Sequence, residues 1–152
     1  MAEVDFAVVQ LLHYIGVAWG VGGVTTIMII SMRSDKNPES APHLIPVTKA
    51  ITKLIWIGLI LLIISGVAYQ YVWPYGTLEY TNLMMTKHVL VAVLIINVLV
   101  VSFAVMPKIS KNMPKKDEKP SATFVNAKRN AKICGIIGFI LWYLIVILSV
   151  AN

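Results

Sequence analysis

Four long apolar stretches decide what kind of structure this chain can form. Residues 6–32, 54–71, 88–106 and 133–152 contain no Asp, Glu, Lys or Arg. A helix needs about 20 residues to cross roughly 30 Å of hydrocarbon. The sequence therefore predicts one transmembrane domain, residues 1–152, whose helices lie at about residues 6–32, 46–72, 82–106 and 131–151.

The composition agrees with a membrane protein. Of the 152 residues, 58% are hydrophobic and 13% are charged, and the mean hydropathy is +0.79. A disordered chain has more charge and fewer apolar residues, and a soluble domain this small has too little interior to bury so much apolar surface. The single cysteine, Cys134, excludes an intrachain disulfide and a multi-cysteine zinc site. The acidic N-terminus lacks the basic region of a signal peptide, so we expect the first helix to be retained.

The basic residues predict how the helices are oriented. The net charge is +6, but Lys and Arg flank the apolar stretches, so we predict no nucleic-acid partner. They concentrate around two connections, at about residues 33–45 and 107–130, whereas the N-terminal tail and residues 73–81 have none. Positive loops favour the cytoplasm. We therefore predict an all-α, up-and-down four-helix bundle in the cell membrane, with both termini outside.

Three ionisable side chains fall inside the predicted spans: His13, Lys87 and His88. Such groups cost at least about 2.5 kcal/mol to insert, so each suggests a function. His13 lies about 10 Å and His88 about 9 Å below the outer boundary, at roughly 1.5 Å per helical residue. The two imidazoles therefore share one level, whereas His43 falls in a loop and is expected to be solvated.

Two histidines on separate helices at one level are typical of a b-type haem with two axial imidazoles. We therefore predict haem b between His13 and His88. Gly16 and Gly20 follow His13 at helical spacing and would leave room for a porphyrin, and Lys87 would neutralise a propionate. The same glycines also suit close helix packing, Lys87 can extend outward to the interface, and hydrogen-bonding histidines can serve packing alone.

Copper is the alternative metal. Met84, Met85 and His88 form a group of soft donors that would suit Cu(I). Other polar residues in the spans, such as Ser65 and Asn97, are assigned to helix packing.

Three segments resemble known membrane proteins. The first helix, LLHYIGVAWGVGG, resembles that of CopD-like proteins, with a Leu-His pair followed by Trp and Gly-Gly. The segment ITKLIWIGLILLIISGVAYQ is similar to their second helix, and YGTLEYTNLMMTKHVLVAVLIINVLVV resembles their third, in which Lys87 is the matching position. The resemblance covers about residues 8–110.

The resemblance extends to the HemJ type of protoporphyrinogen oxidase. It implies a four-helix haem b protein with an important His on the first helix and Lys on the third, here His13 and Lys87. The His that usually precedes that Lys is replaced by Met85, and His88 follows it instead.

A bis-histidine iron has no open position for substrate, which favours electron transfer over oxygen chemistry. We therefore expect a small cytochrome b-like protein, more an electron-transfer or accessory subunit than a stand-alone enzyme. We expect it to act with other membrane subunits or as a homodimer. The alternatives are CopD-like copper transport, HemJ-like porphyrinogen oxidation and a purely structural subunit.

Overall fold

The computed structural model describes residues 2–36, 41–72, 82–114 and 118–150, and every regular element among them is a helix. The predicted all-α class is confirmed. The elements are α1 (Ala2–Lys36), α2 (Ala41–Val72), α3 (Asn82–Leu99), a π-helical segment (Val100–Val105), α4 (Met106–Lys111) and α5 (Ala122–Val150). Helix α3, the π segment and α4 follow one another without a break and form a single span, Asn82–Lys111.

Four helices are long and apolar enough to cross a membrane, as the sequence predicts. No more than 22% of the most apolar part of any of them is buried within the chain. Large aliphatic side chains such as Leu11, Ile64, Ile96 and Ile147 are therefore exposed on all four spans. Apolar surface of this extent is too large for a monomer in water, and the architecture fits a multi-pass membrane protein.

The helices extend further into the basic connections than the predicted boundaries. Helix α2 begins at Ala41 and contains Pro46, which was expected near the helix start. A proline this close to the N-terminus removes only one backbone hydrogen bond. Helix α5 begins at Ala122, before the predicted residue 131, because the Ser121 hydroxyl accepts a hydrogen bond from the Phe124 N–H and caps the helix. Residues 33–36, 41–45, 107–111 and 122–130 of the predicted loops are helical, and His43, which was expected in the first loop, therefore lies on α2.

The interior of the bundle is tightly filled. Leu59, Leu94 and Trp142, from α2, α3 and α5, are each only 1% exposed. They belong to one hydrophobic cluster that also includes Val24 and Ile55. Since all four spans contribute to the region around these side chains, the centre of the bundle is occupied by protein.

Helices α1 and α2 are antiparallel and cross at two glycines. A Cβ atom added to Gly16 would come within 2.8 Å of the Gly58 carbonyl oxygen, and one added to Gly58 would come within 2.9 Å of the Gly16 carbonyl oxygen. Small residues at helix crossings let two backbones touch in this way. This close approach positions the polar side chains that lie toward the N-terminus of α1 and the C-terminus of α2.

Polar side chains join the third span to its neighbours. The Asn97 side-chain amide donates a 3.1 Å hydrogen bond to the Cys134 carbonyl of α5, which confirms its packing role. The Trp56 indole of α2 donates to Ser102 Oγ in the π segment at 3.0 Å. A π turn changes the direction of the side chains that follow it, and here it lies beside this interhelical bond.

A candidate intramembrane site around His13

His13 lies between α1 and α2 and is hydrogen-bonded across the helix crossing. Its Nδ1 atom is 2.9 Å from Ser65 Oγ. Ser65 is 1% exposed and is the only polar side chain that is fully buried among the described residues. The Gly16–Gly58 contact brings the two helices close enough for this bond, so the packing of small residues builds the site.

The hydrogen bonds of Ser65 determine where the proton on His13 is. Ser65 Oγ lies 2.7 Å from the Leu61 carbonyl oxygen, on its own helix. A carbonyl only accepts, so the single hydroxyl proton of Ser65 points to Leu61. Ser65 must then accept from His13, which places a proton on His13 Nδ1. In the neutral ring the electron pair is therefore on Nε2.

One aromatic ring adjoins the histidine, and a second ring adjoins the first. The Tyr69 ring is perpendicular to the His13 ring, with ring centres 5.7 Å apart. The Phe6 ring packs edge-to-face against Tyr69 at 5.5 Å. Edge-to-face aromatic pairs contribute about 0.5 to 1.5 kcal/mol each beyond their burial. Together they form an apolar wall that restricts the orientation of the imidazole.

Lys87 lies on the third span and is half-buried near the start of α3. The side chains shown around His13 are Ser65 and Tyr69 of α2. We call His13, Ser65 and Tyr69 the His13 cluster.

His88 is placed differently. Its ring is exposed, and Nδ1 lies 2.7 Å from the Met84 carbonyl oxygen one turn earlier. The sequence predicted that both imidazoles point into one interior, but only His13 is half-buried. Consecutive helical residues are rotated by about 100°, and the rotation of α3 about its axis leaves Lys87 half-buried and His88 on an exposed face.

The two glycines predicted to clear space for a porphyrin have a different role. Gly16 packs against Gly58 and Leu62, and a Cβ on Gly20 would overlap the ring of Trp142. Both faces are filled by protein, so the alternative interpretation, helix packing, accounts for this glycine stripe. A cofactor would have to lie elsewhere.

No group of three or more His, Cys, Asp or Glu side chains suitable for a metal ion occurs among the described residues. This argues against a zinc-type site made from such ligands in that part of the chain. A haem needs only two axial ligands from the protein, because the porphyrin supplies the other four nitrogens.

No protein-family model matches the chain, and no curated protein or solved structure is similar enough to count as a match. The resemblance to CopD-like and HemJ-type proteins stays a prediction. The functional argument therefore depends on the residues of the His13 cluster and on His88.

Sequence reasoning identified His13 and Lys87 but missed the roles of Ser65 and Tyr69. Ser65 was assigned to packing, and Tyr69 carried no signal. Ser65 lies seven residues after Gly58, and His13 lies three residues before Gly16. These spacings bring the two side chains together only if the helices cross at Gly16 and Gly58. The sequence alone does not show where the helices cross.

Proposed function

We propose that this chain is a small membrane protein that binds haem b and transfers electrons, with His13 and His88 as the axial ligands. The observation that carries the proposal is that both imidazole rings carry a proton on Nδ1. Nδ1 of each is held by an oxygen atom, Ser65 Oγ for His13 and the Met84 carbonyl for His88. Histidines that bind metals usually donate one ring N–H to such an oxygen and ligate through the other nitrogen.

Two imidazoles are the donors that a b-type haem takes from a protein, and the filled core restricts where such a haem would be. Leu59, Leu94 and Trp142 occupy the centre of the bundle, so the group would lie beside the helices at the end that carries His13. Lys87, which is half-buried near the start of α3, would pair with a propionate there. A bound haem would supply one-electron chemistry.

The chain's own residues would fix the ligand and protect it. Ser65 prevents the His13 ring from rotating, because its hydroxyl is itself anchored to Leu61. The Tyr69 ring adjoins the imidazole and is itself packed against Phe6. With His13 and His88 both holding the haem, the protein would exchange electrons with a partner rather than act on a substrate.

The proposal also includes an orientation and a setting. The basic connections support a cytoplasmic position for the end that carries Lys36, Lys108 and Lys128, with both termini on the opposite side. We place the protein in the cell membrane, as a subunit of a larger redox assembly or as a homodimer. The His13 cluster would then face the outer leaflet.

The direct test is the absorption spectrum of the purified protein. After expression with added haem precursor and after titration with hemin, we expect a reduced-minus-oxidised spectrum with sharp α and Soret bands. Metal analysis is done on the same sample. Absence of these bands after hemin titration contradicts the proposal. If the sample then contains one Cu(I) ion per chain, the protein is a copper protein. If it contains neither haem nor copper, the protein is a structural subunit.

A second function, oxidation of a porphyrinogen, is favoured by one observation. His13 of the first span and Lys87 of the third are both half-buried, and these are the two positions that match the HemJ type. A cationic side chain and an imidazole in one site would suit a substrate that carries carboxylates. The two functions predict different effects when Lys87 is replaced: weaker haem retention for the first, and porphyrin accumulation in cells for the second.

We expect Lys87→Met to retain the haem bands, because both histidines remain. We expect it to release haem about 10- to 150-fold more readily, since a charge-assisted hydrogen bond contributes about 1.5 to 3 kcal/mol. Lys111→Met, an exposed lysine of α4, is the matched control. Haem release is measured by transfer to apomyoglobin. Porphyrin accumulation in a strain that depends on the Lys87→Met protein, but not on the control, would instead establish the second function.

A further inference from the structure

A cavity of about 380 Å³ lies at the opposite end of the bundle from His13, between the end of α1 and the start of α5. Its charged lining consists of Asp35 from α1 and Lys128, Arg129 and Lys132 from α5. None of these residues belongs to the His13 cluster. The cavity therefore calls for an explanation of its own.

The cavity is lined by an excess of positive charge. Asp35 is shared by two lysines, with its Oδ2 2.7 Å from Lys132 Nζ and its Oδ1 3.2 Å from Lys128 Nζ. One carboxylate cannot neutralise three cations, so the site attracts anions. The side chains of Lys128 and Lys132 are 47% and 53% exposed, which leaves their ammonium groups accessible to a ligand.

The cationic cavity continues into an apolar cleft. Phe124 and Val125 line it beside the charges, and Val125 is 53% exposed. A second, smaller cavity between α1 and α5 shares Ser31 and Lys132 with the first and is otherwise lined mainly by aliphatic residues, among them Ile27 and Met28. A site that binds only a free anion has no need for this apolar extension.

We propose that this cavity binds an anionic phospholipid, with the phosphate at Lys128, Arg129 and Lys132 and an acyl chain lying along, rather than inside, the small apolar cleft between α1 and α5. Basic pockets between transmembrane helices are suited to anionic headgroups. The position agrees with this assignment, because the cavity lies where the apolar spans end and the charged residues begin. The lipid would connect α1 to α5, which the Asp35 ion pairs already join.

The test is lipid binding by the full-length protein in detergent, measured by native mass spectrometry with phosphatidylglycerol, phosphatidylcholine or inorganic phosphate. We expect phosphatidylglycerol to remain bound and to raise the unfolding temperature, and we expect binding to fall at least tenfold in Lys128→Gln/Arg129→Gln. The matched control is Lys108→Gln/Lys111→Gln, which removes the same charge from exposed positions of α4. This control should bind like the unmodified protein.

Three results would overturn the proposal. If both double variants lose phosphatidylglycerol binding equally, net charge alone attracts the lipid. If phosphatidylcholine binds as well as phosphatidylglycerol, the apolar cleft alone attracts it. If inorganic phosphate stabilises the protein as much as phosphatidylglycerol does, the cavity is a free-anion site. Asp35→Asn is a second test that leaves the basic residues in place. We expect at least equal phosphatidylglycerol binding in this variant, because the competing carboxylate is gone, and loss of binding would contradict the assignment.

Discussion

Replacing His13 with Ala is expected to abolish the low-spin haem spectrum of the purified protein. Removing an axial ligand has a larger effect than removing a residue that only orients the ligand, and even the latter costs about 10- to 100-fold in metal affinity. His88→Ala is expected to give a high-spin spectrum or to lose the pigment, since one ligand remains in place. The measurement is the reduced-minus-oxidised spectrum together with haem content per chain.

The chain provides a matched control in its third histidine. His43→Ala changes an exposed residue near the start of α2, far along the helix from Ser65, and should leave the spectrum unchanged. Ser65→Ala is expected to keep the haem but to bind it about tenfold more weakly, because the His13 ring loses the acceptor that orients it. If the His13→Ala and His88→Ala proteins both have the unmodified spectrum, these residues are not the ligands.

Replacing Gly20 with Ala is expected to destabilise the bundle by about 1 to 3 kcal/mol, the usual cost of overfilling a packed core. The new methyl group would overlap the ring of Trp142. Trp142 is 1% exposed and lies within the central cluster, so its ring has no free space to move into. The free energy of unfolding is measured by SDS titration of the protein in mixed micelles, followed by circular dichroism.

Gly22 supplies the control on the same helix. A Cβ atom at Gly22 meets nothing within 4 Å, so Gly22→Ala should leave the stability unchanged or raise it by up to about 1 kcal/mol, because Ala favours the helix over Gly. A Gly20→Ala protein as stable as the Gly22→Ala protein would show that Trp142 is not packed against α1 as described. The same result would reopen the space beside Gly20 for a cofactor.

Much of the fold could be predicted from the sequence, because a bilayer restricts what a chain can form. Charge-free stretches such as residues 6–32 are helical for a simple reason: backbone groups in hydrocarbon must be satisfied within the helix. The boundaries were less predictable. The polar residues 122–130 have a loop-like composition, but the Ser121 cap and the packing against α1 extend α5 through them.

The candidate site was predicted only in part. His13 and Lys87 were identified because ionisable groups are costly in a span, and that cost can be recognised in one sequence. The depth argument placed His88 at the level of His13 but did not give the rotation of α3 about its axis. The exposure of the His88 ring and the filling of the space beside Gly16 and Gly20 depend on which helices are neighbours.

The sequence by itself determined four apolar helices, the basic end of the bundle and the ionisable residues inside the spans, because these follow from local composition and from the energetics of burying charge in lipid. Only the tertiary structure decided that Ser65 is the partner of His13 and that Trp142 fills the space beside Gly20. It also decided that Lys128 and Lys132 of α5 share the Asp35 carboxylate of α1. Such contacts join residues far apart in the chain, and their geometry is determined by how the helices cross, which no local pattern specifies.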